Sequence, residues 1–330
     1  MMGMRALLPG KPGQPARPAA AALAVPATIA DAGESASRRF LEFFAATIRN
    51  RNTRMAYYRA ARHFFAWSEQ HRIGALTAIT ALHVAAYIEQ LQTGMAKPSV
   101  KQRLAALRML FDWLVTGGVL ASNPAAAVRG PKHVVKTGKT RVLEAGQARL
   151  LLDRIDTGGV VGLRDRALIA LMTYSFARIG AAVGMDVEDY HPRGKRWWVR
   201  LHEKGGKRHE LPAHHTLEAY LDAYIEAAGI RGQRRAPLFR AAIGRGRQLG
   251  EARMSRVDAW RMVQRRAAAA GLAGIGNHSF RATGITAYLQ AGGTLEKAQA
   301  MAAHESPRTT KLYDRTQDAI TLDEIERIVI

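Results

Sequence analysis

The stretch "HESPRTTKLYDR", His304–Arg315, sets a tyrosine nine positions after a histidine, with Arg308 and Lys311 between them. Ser306 followed by Pro307 starts a helix, because Ser caps free N–H groups and Pro fits the first turn. Tyr313 therefore closes a short helix near the C-terminal end. Either it packs that helix, or its phenol meets an anion among the cations. The rest of the chain decides between the two.

The chain has 330 residues, 48% of them apolar, and a formal charge of +22. That length suits two globular domains. Such a charge concentrates polyanions around the protein, and each phosphate neutralised releases counterions. Nucleic acid is the favoured partner over an acidic membrane, since no basic amphipathic surface helix stands out. There is no cysteine, which excludes disulfide frameworks and thiolate zinc sites and suits a reducing compartment. No apolar run approaches the roughly 20 residues needed to span a bilayer. Residues 1–35 begin with basic residues, four prolines and "AAAALAV". They read as a flexible Ala/Pro-rich tail.

Helical periodicity starts at Ser37. Phe40, Phe43, Phe44 and Ile48 share one stripe, and Tyr57, Tyr58, Ala61, Phe64, Phe65 and Trp67 share another behind a cap at Asn52 or Thr53. Thr80 caps a third helix. Pro98 opens a fourth, which Gly117 and Gly118 close. Residues 36–130 carry thirteen Arg/Lys against four acids, more than a solvated helix face requires and suited to DNA. Residues 123–142, with Pro124 and Pro131 and no periodicity, read as a basic linker able to follow a duplex backbone. Beyond it come helices over 144–155 and 163–176. Trp197–Leu201 and Arg208–Leu211 form a hairpin turning at "KGGK". Further helices fit 215–228, 255–271, 279–292, 294–304 and 306–314. The fold class is mainly α, with a small antiparallel sheet in the second lobe.

Five sites in that lobe have the chemistry of phosphodiester cleavage. Without a metal, this reaction needs a nucleophile, cations on the non-bridging oxygens, and a proton donor for the leaving oxygen. Arg178 follows an apolar helix, where an unpaired buried guanidinium would be costly. Lys204 stands at the hairpin tip among glycines. His278 and Arg281, in "NHSFRATG", lie on one helix face at i, i+3. His304 ends an apolar helix, and Tyr313 closes the series. Each has an ordinary structural reading alone. Together and in this order they do not.

The series resembles the tyrosine recombinase, or phage integrase, family, of the simple two-domain, Xer-like kind. The motifs stand here as "RDRALIALMTYSFAR", "EKGGK", "HSFR" and "HESPRTTKLY". The resemblance implies an N-terminal helical core-binding (SAM-like) domain over 36–122. It also implies a catalytic domain of the DNA breaking-rejoining fold over 143–315. By residue, it implies Tyr313 as nucleophile forming a 3′-phosphotyrosine, and Arg178 and Arg281 clamping the phosphate. Lys204 would be the general acid, His278 would accept or relay the tyrosine proton, and His304 would hydrogen-bond the phosphate. No metal or other cofactor is implied. The partners implied are double-stranded DNA carrying a specific recombination site and three further copies in a tetramer. Residues 316–330, with an apolar stripe through Ile320, Leu322, Ile325 and Ile328, would be exchanged in trans onto a neighbouring protomer. Room remains for an accessory protein or partner recombinase. A cytoplasmic, nucleoid-associated location is expected, and no membrane. The first 35 residues are too short and Ala/Pro-rich for an arm-type DNA-binding domain. That suits a recombinase acting in integration, excision, transposition or resolution of a mobile element or replicon.

Three departures are visible. The position three after Arg178, often an acid in relatives, is Ala181. The one before His304, often Gly, is Ala303. An Arg after the hairpin is replaced by His209. The competing readings are a type IB-like topoisomerase, which relaxes supercoils by the same chemistry, and a catalytically inactive DNA-binding relative. A metal nuclease lacks carboxylates at ligand spacing.

Overall fold

The computed structural model describes residues 23–133, 138–203, 206–244, 247–314 and residue 326. The chain divides into two compact units, residues 1–134 and 135–330.

The first unit holds α1 (Ala27–Ala30), α2 (Glu34–Glu42), α3 (Arg51–Gln70), α4 (Ala81–Gly94) and α5 (Lys97–Thr116). The apolar stripes of α2 and α3 meet α5 in a core of rings. Phe40 and Phe44 pack edge-on at 5.0 Å, and Phe64 and Phe111 at 5.8 Å. The cap of α3 is Asn50, whose side chain accepts from the N–H groups of Asn52 and Thr53, so the cap expected at Asn52 or Thr53 lies two or three residues too late. The flexible segment expected over 1–35 is also too long. Residues 23–29 pack on the helices, with Ile29 fully buried and the Tyr58 hydroxyl donating to the Ala24 carbonyl at 2.9 Å. The irregular stretch from Asn123 is likewise docked at first. Ala125 and Val128 are buried, and Arg108 donates to both of their carbonyls.

The second unit runs α6 (Ala145–Asp153), α7 (Val160–Tyr174), α8 (Ile179–Ala182), β1 (Tyr190–Arg193), β2 (Arg196–His202), β3 (Arg208–Pro212) and α9 (His215–Ala227). Then follow β4 (Arg240–Ile243), β5 (Gln248–Arg253), α10 (Arg256–Ala269), α11 (Asn277–Gln290), α12 (Leu295–Met301) and α13 (Pro307–Lys311). The three-stranded antiparallel sheet has the order β1-β2-β3, with Val199 opposite Leu211 and Leu201 opposite His209. A second hairpin, β4-β5, and strand β1 went unread because their short runs mix charge with few apolar residues.

Helix α7 is apolar on every side because it is central: Leu168, Leu171 and Met172 are fully buried. In its one charged segment, Arg164–Arg166, the first two residues are buried too and Arg166 is half-buried. Asp165 accepts from Arg164 beside it and from Arg266 on α10, while Arg164 also donates to the Arg240 carbonyl at 2.8 Å. This network ties α7, β4 and α10 together, so "RD" is structural.

Gly284 lets α11 approach the end of α7 closely. A Cβ there would overlap the Thr173 carbonyl oxygen and stand 2.8 Å from the Phe176 ring. Gly284→Ala should therefore destabilise the second unit by about 1–3 kcal/mol through overpacking, read as a lower urea midpoint at unchanged slope. An unchanged midpoint would show that the contact is looser than described.

Candidate active site

Phe176, Arg178, Glu203, His278, Arg281, His304, Thr310 and Tyr313 form one cluster, held by helix ends. Helix α7 stops at Ser175, and Phe176 takes a left-handed φ of 54°. The chain then turns into α8, with Arg178 at its N-cap. Helix α12 ends in a left-handed cap. The Ala303 N–H reaches the Ala300 carbonyl, and the His304 N–H reaches that of Gln299. Ala303 has φ 46°, a conformation that costs a residue with a Cβ about 1 kcal/mol and glycine almost nothing. The glycine that the resemblance implies at this position would avoid that cost.

Arg281, on α11, is 1% exposed. Its two terminal nitrogens donate to the carbonyls of Phe176 and Ala302, both at those helix ends. Its Nε–H is buried without a hydrogen-bond partner of full geometry among the described residues, although Tyr313 is near enough for the guanidinium to favour the phenolate. Burial, then repulsion from Arg178, brings the Arg281 pKa down to about 10.

Tyr313 follows α13. Its carbonyl accepts from the buried Thr286 hydroxyl at 3.1 Å. Its Oη stands 2.8 Å from His278 Nε2 on α11. Burial raises the phenol pKa, opposed by Arg281 and Arg178. The His304 ring lies parallel to that of Tyr313, with centroids 5.9 Å apart, and its Nδ1 is 2.9 Å from Thr310 Oγ1. Burial, then Arg281, Arg178 and His278, lowers the His304 pKa to about 3. Burial, then the same two arginines, also lowers that of His278. Both imidazoles are therefore neutral near pH 7.

Arg178 remains 39% exposed at its side chain, and Nη1 donates to Glu203 Oε2 at 2.6 Å. Five of the six residues singled out from sequence thus converge: Arg178, His278, Arg281, His304 and Tyr313. Lys204 lies outside the described residues. Glu203, Thr310 and Thr286 went unrecognised, because a single acid in "HEKGGKRH" and threonines in a helix carry no mark of their partners. Ala181 is buried on α8, and the acid beside Arg178 comes instead from the residue directly after β2. His209 reaches from β3 to the Met301 carbonyl at 3.0 Å, joining the hairpin to the end of α12. A cavity of about 500 Å³ lined by His63, Trp67, Tyr87 and Met95 belongs to the first unit and holds none of these groups.

The arrangement sets two guanidinium groups and two neutral imidazoles around one phenol, with Glu203 as the carboxylate paired to Arg178. It fits an anion that a tyrosine can attack.

The sequence pattern of the Phage integrase family matches residues 141–319, and that of its N-terminal SAM-like domain matches residues 38–118. Tyrosine recombinase XerC of Mycobacterium sp. (strain JLS) is 30% identical over 80% of this chain and 88% of its own. XerC of Escherichia coli O127:H6 is 30% identical over 67% and 70%. Among solved structures, a lambda integrase dimer bound to a COC′ core site superposes with TM-score 0.66 at 19% identity, covering 86% of this chain and 79% of that one. XerH recombinase bound to difH, in a pre-cleavage complex, gives 0.62 at 16%, covering 83% and 78%. These structures share the fold: mainly helical, with a SAM-like and a catalytic domain. Among the described residues no helix is long and apolar enough to cross a membrane.

Two histidines, the buried His304 and the more exposed His278, fix a pH dependence. Neutral in the fold, they take up protons in the unfolded chain near the ordinary histidine value of 6.5. The unfolded state then binds more protons, so stability is full above pH 6.5 and falls as the pH drops below it. The melting temperature of the DNA-free protein should fall between pH 6.5 and 4.5, and less steeply for His304→Gln. A flat profile for wild type would contradict their being neutral in the fold.

Proposed function

Since the chain belongs to the phage integrase family, the tyrosine recombinases, an enzyme class of DNA strand-transferases, we propose that it recombines specific DNA sites through a covalent 3′-phosphotyrosyl intermediate. The observation that carries this is Tyr313 Oη standing 2.8 Å from His278 Nε2, beside two arginines that favour the phenolate.

The Tyr313 oxygen attacks the scissile phosphorus while its proton passes to the neutral His278 Nε2. The bond from phosphorus to the 5′-oxygen breaks, and the 5′-hydroxyl leaves with a proton from Lys204. Arg178 and Arg281 bind the non-bridging oxygens, where charge accumulates, and planar permanent cations suit that task. Thr310 on His304 Nδ1 leaves Nε2 to donate to the phosphate. The phosphotyrosyl bond keeps the energy of the broken one. A 5′-hydroxyl from a second duplex therefore reverses the step, with the proton returning along the same path. Two such rounds exchange both strand pairs through a four-way junction in a tetramer.

The first unit supplies grip on the duplex. Among its described cations only Arg39 has an acidic partner, and Arg51, Arg59, Arg62, Lys97 and Lys101 are exposed. Residues 316–330 dock on the adjacent protomer. That segment lies outside the described residues apart from Glu326, and the reading rests on its apolar stripe.

Two measurements test this. Nicked suicide duplexes tiled from the DNA flanking the gene should trap a covalent protein–DNA band with wild type and none with Tyr313→Phe. A band that survives the substitution assigns the nucleophile elsewhere. Deleting residues 318–330 should abolish tetrameric complexes while sparing single-site binding, and unchanged assembly in native gels would count against exchange of that segment.

A further inference from the structure

A carboxylate inside a phosphate-binding pocket needs a reason, because it opposes the ligand. The Glu203 side chain is 5% exposed and follows directly on the last residue of β2, His202. Its backbone closes the hairpin: the N–H donates to the Lys207 carbonyl at 2.8 Å, and the carbonyl accepts from Gly206 at 3.3 Å. Burying an ionised carboxylate is expensive unless it is paired, and the Arg178 guanidinium pairs it at 2.6 Å.

Arg178 needs such a partner. It projects from the N-cap of a four-residue helix. Arg281 lies near enough to repel it: after burial, that repulsion is the next cause lowering the Arg281 pKa, and Glu203 opposes it. Without an anion present, the more exposed of two neighbouring guanidinium groups turns to solvent. Position 181, one helical turn on, offers only a buried alanine. Glu203 occupies a single N–H of Arg178, which has no other side-chain hydrogen bond among the described residues. Of five guanidinium donors, four remain for phosphate.

We propose that Glu203 is a positioning residue for cleavage: its carboxylate holds the Arg178 guanidinium in the pocket before DNA arrives and leaves the outward donors of that group to the scissile phosphate. This rests on the reading of Arg178 as a phosphate clamp. The arrangement gives up some attraction for the phosphate, since local charge falls by one, in exchange for a donor already in place. Placement errors of about 1 Å cost on the order of 100-fold in rate. Binding and chemistry should therefore respond in opposite senses, which a merely structural role would not produce.

The test is single-turnover cleavage of the nicked suicide duplex, with protein in excess, beside half-site affinity by gel shift. Glu203→Gln should bind the duplex as tightly as wild type or more so, yet cleave on the order of 10- to 100-fold more slowly. Glu203→Asp, one methylene shorter with its charge kept, should fall between. In an Arg178→Lys background, Glu203→Gln should change the rate less than about threefold, because the group it positions has gone. A rate within about twofold of wild type overturns the proposal. So does a faster variant, which would make Glu203 a competitor of the phosphate. Binding and cleavage falling together with the melting temperature also overturns it, as does a full effect persisting in the Arg178→Lys background. Wild type and Tyr313→Phe run beside these variants, so failure of the nucleophile reading shows as failure of those controls. Failure confined to the Glu203 variants leaves that reading standing.

Discussion

The site depends on one buried cation. Arg281 reaches the carbonyls of Phe176 and Ala302, each two residues before another site group, Arg178 and His304. Both acceptors sit where a helix has ended and the chain turns left-handed, at Phe176 itself and at Ala303. The last turn of a helix leaves carbonyls unsatisfied and partly negative. A guanidinium can use two such ends at once, and α11 carries it there because Gly284 removes the side chain that would hold the helices apart. One side chain thus sets the distance between three segments far apart in sequence.

The electrostatics follow from that placement. Loss of water around the imidazoles, and then repulsion from Arg281 and Arg178, disfavours their cationic forms, so His278 and His304 are neutral. Neutral imidazoles can accept a proton or donate a hydrogen bond without adding charge, which is what attack on a phosphodiester calls for. The phenol is held un-ionised by burial while both arginines favour its anion. On the proposed reading, an entering phosphate would add negative charge beside the two guanidinium groups, where Glu203 already pairs with Arg178.

Much of this could be read from the residues alone, and the boundary has a physical cause. Helices of the first unit declare themselves because apolar residues recur at helical spacing within each, as Phe40, Phe43 and Phe44 do on one stripe and Tyr57, Ala61, Phe64 and Phe65 on another. The β2–β3 hairpin shows in its aromatic and alternating run. The order Arg178, His278, Arg281, His304, Tyr313 is visible because each is a chemically distinct group in a family motif. What could not be read depends on long-range partners. Glu203 acquires meaning only beside Arg178, twenty-five residues earlier. The left-handed turns at Phe176 and Ala303 contradict local preference and are held by Arg281 and the helix caps. Ile29 is buried by α2 and α3, although composition alone marks its surroundings as loose. The β4–β5 hairpin, with Arg240 and Arg253 in register, has no apolar alternation to announce it.

The central claim is that these side chains converge on a single phosphorus atom. The crystal structure of the full chain with a nicked half-site duplex and orthovanadate tests it most directly. The account predicts a five-coordinate vanadium bonded to Tyr313 Oη. The equatorial oxygens would lie within hydrogen-bond distance of Arg178, Arg281 and His304, with Glu203 still on Arg178 Nη1. Vanadate bound to another nucleophile, or seated where the Arg178 and Arg281 guanidinium groups do not both touch it, would contradict the account.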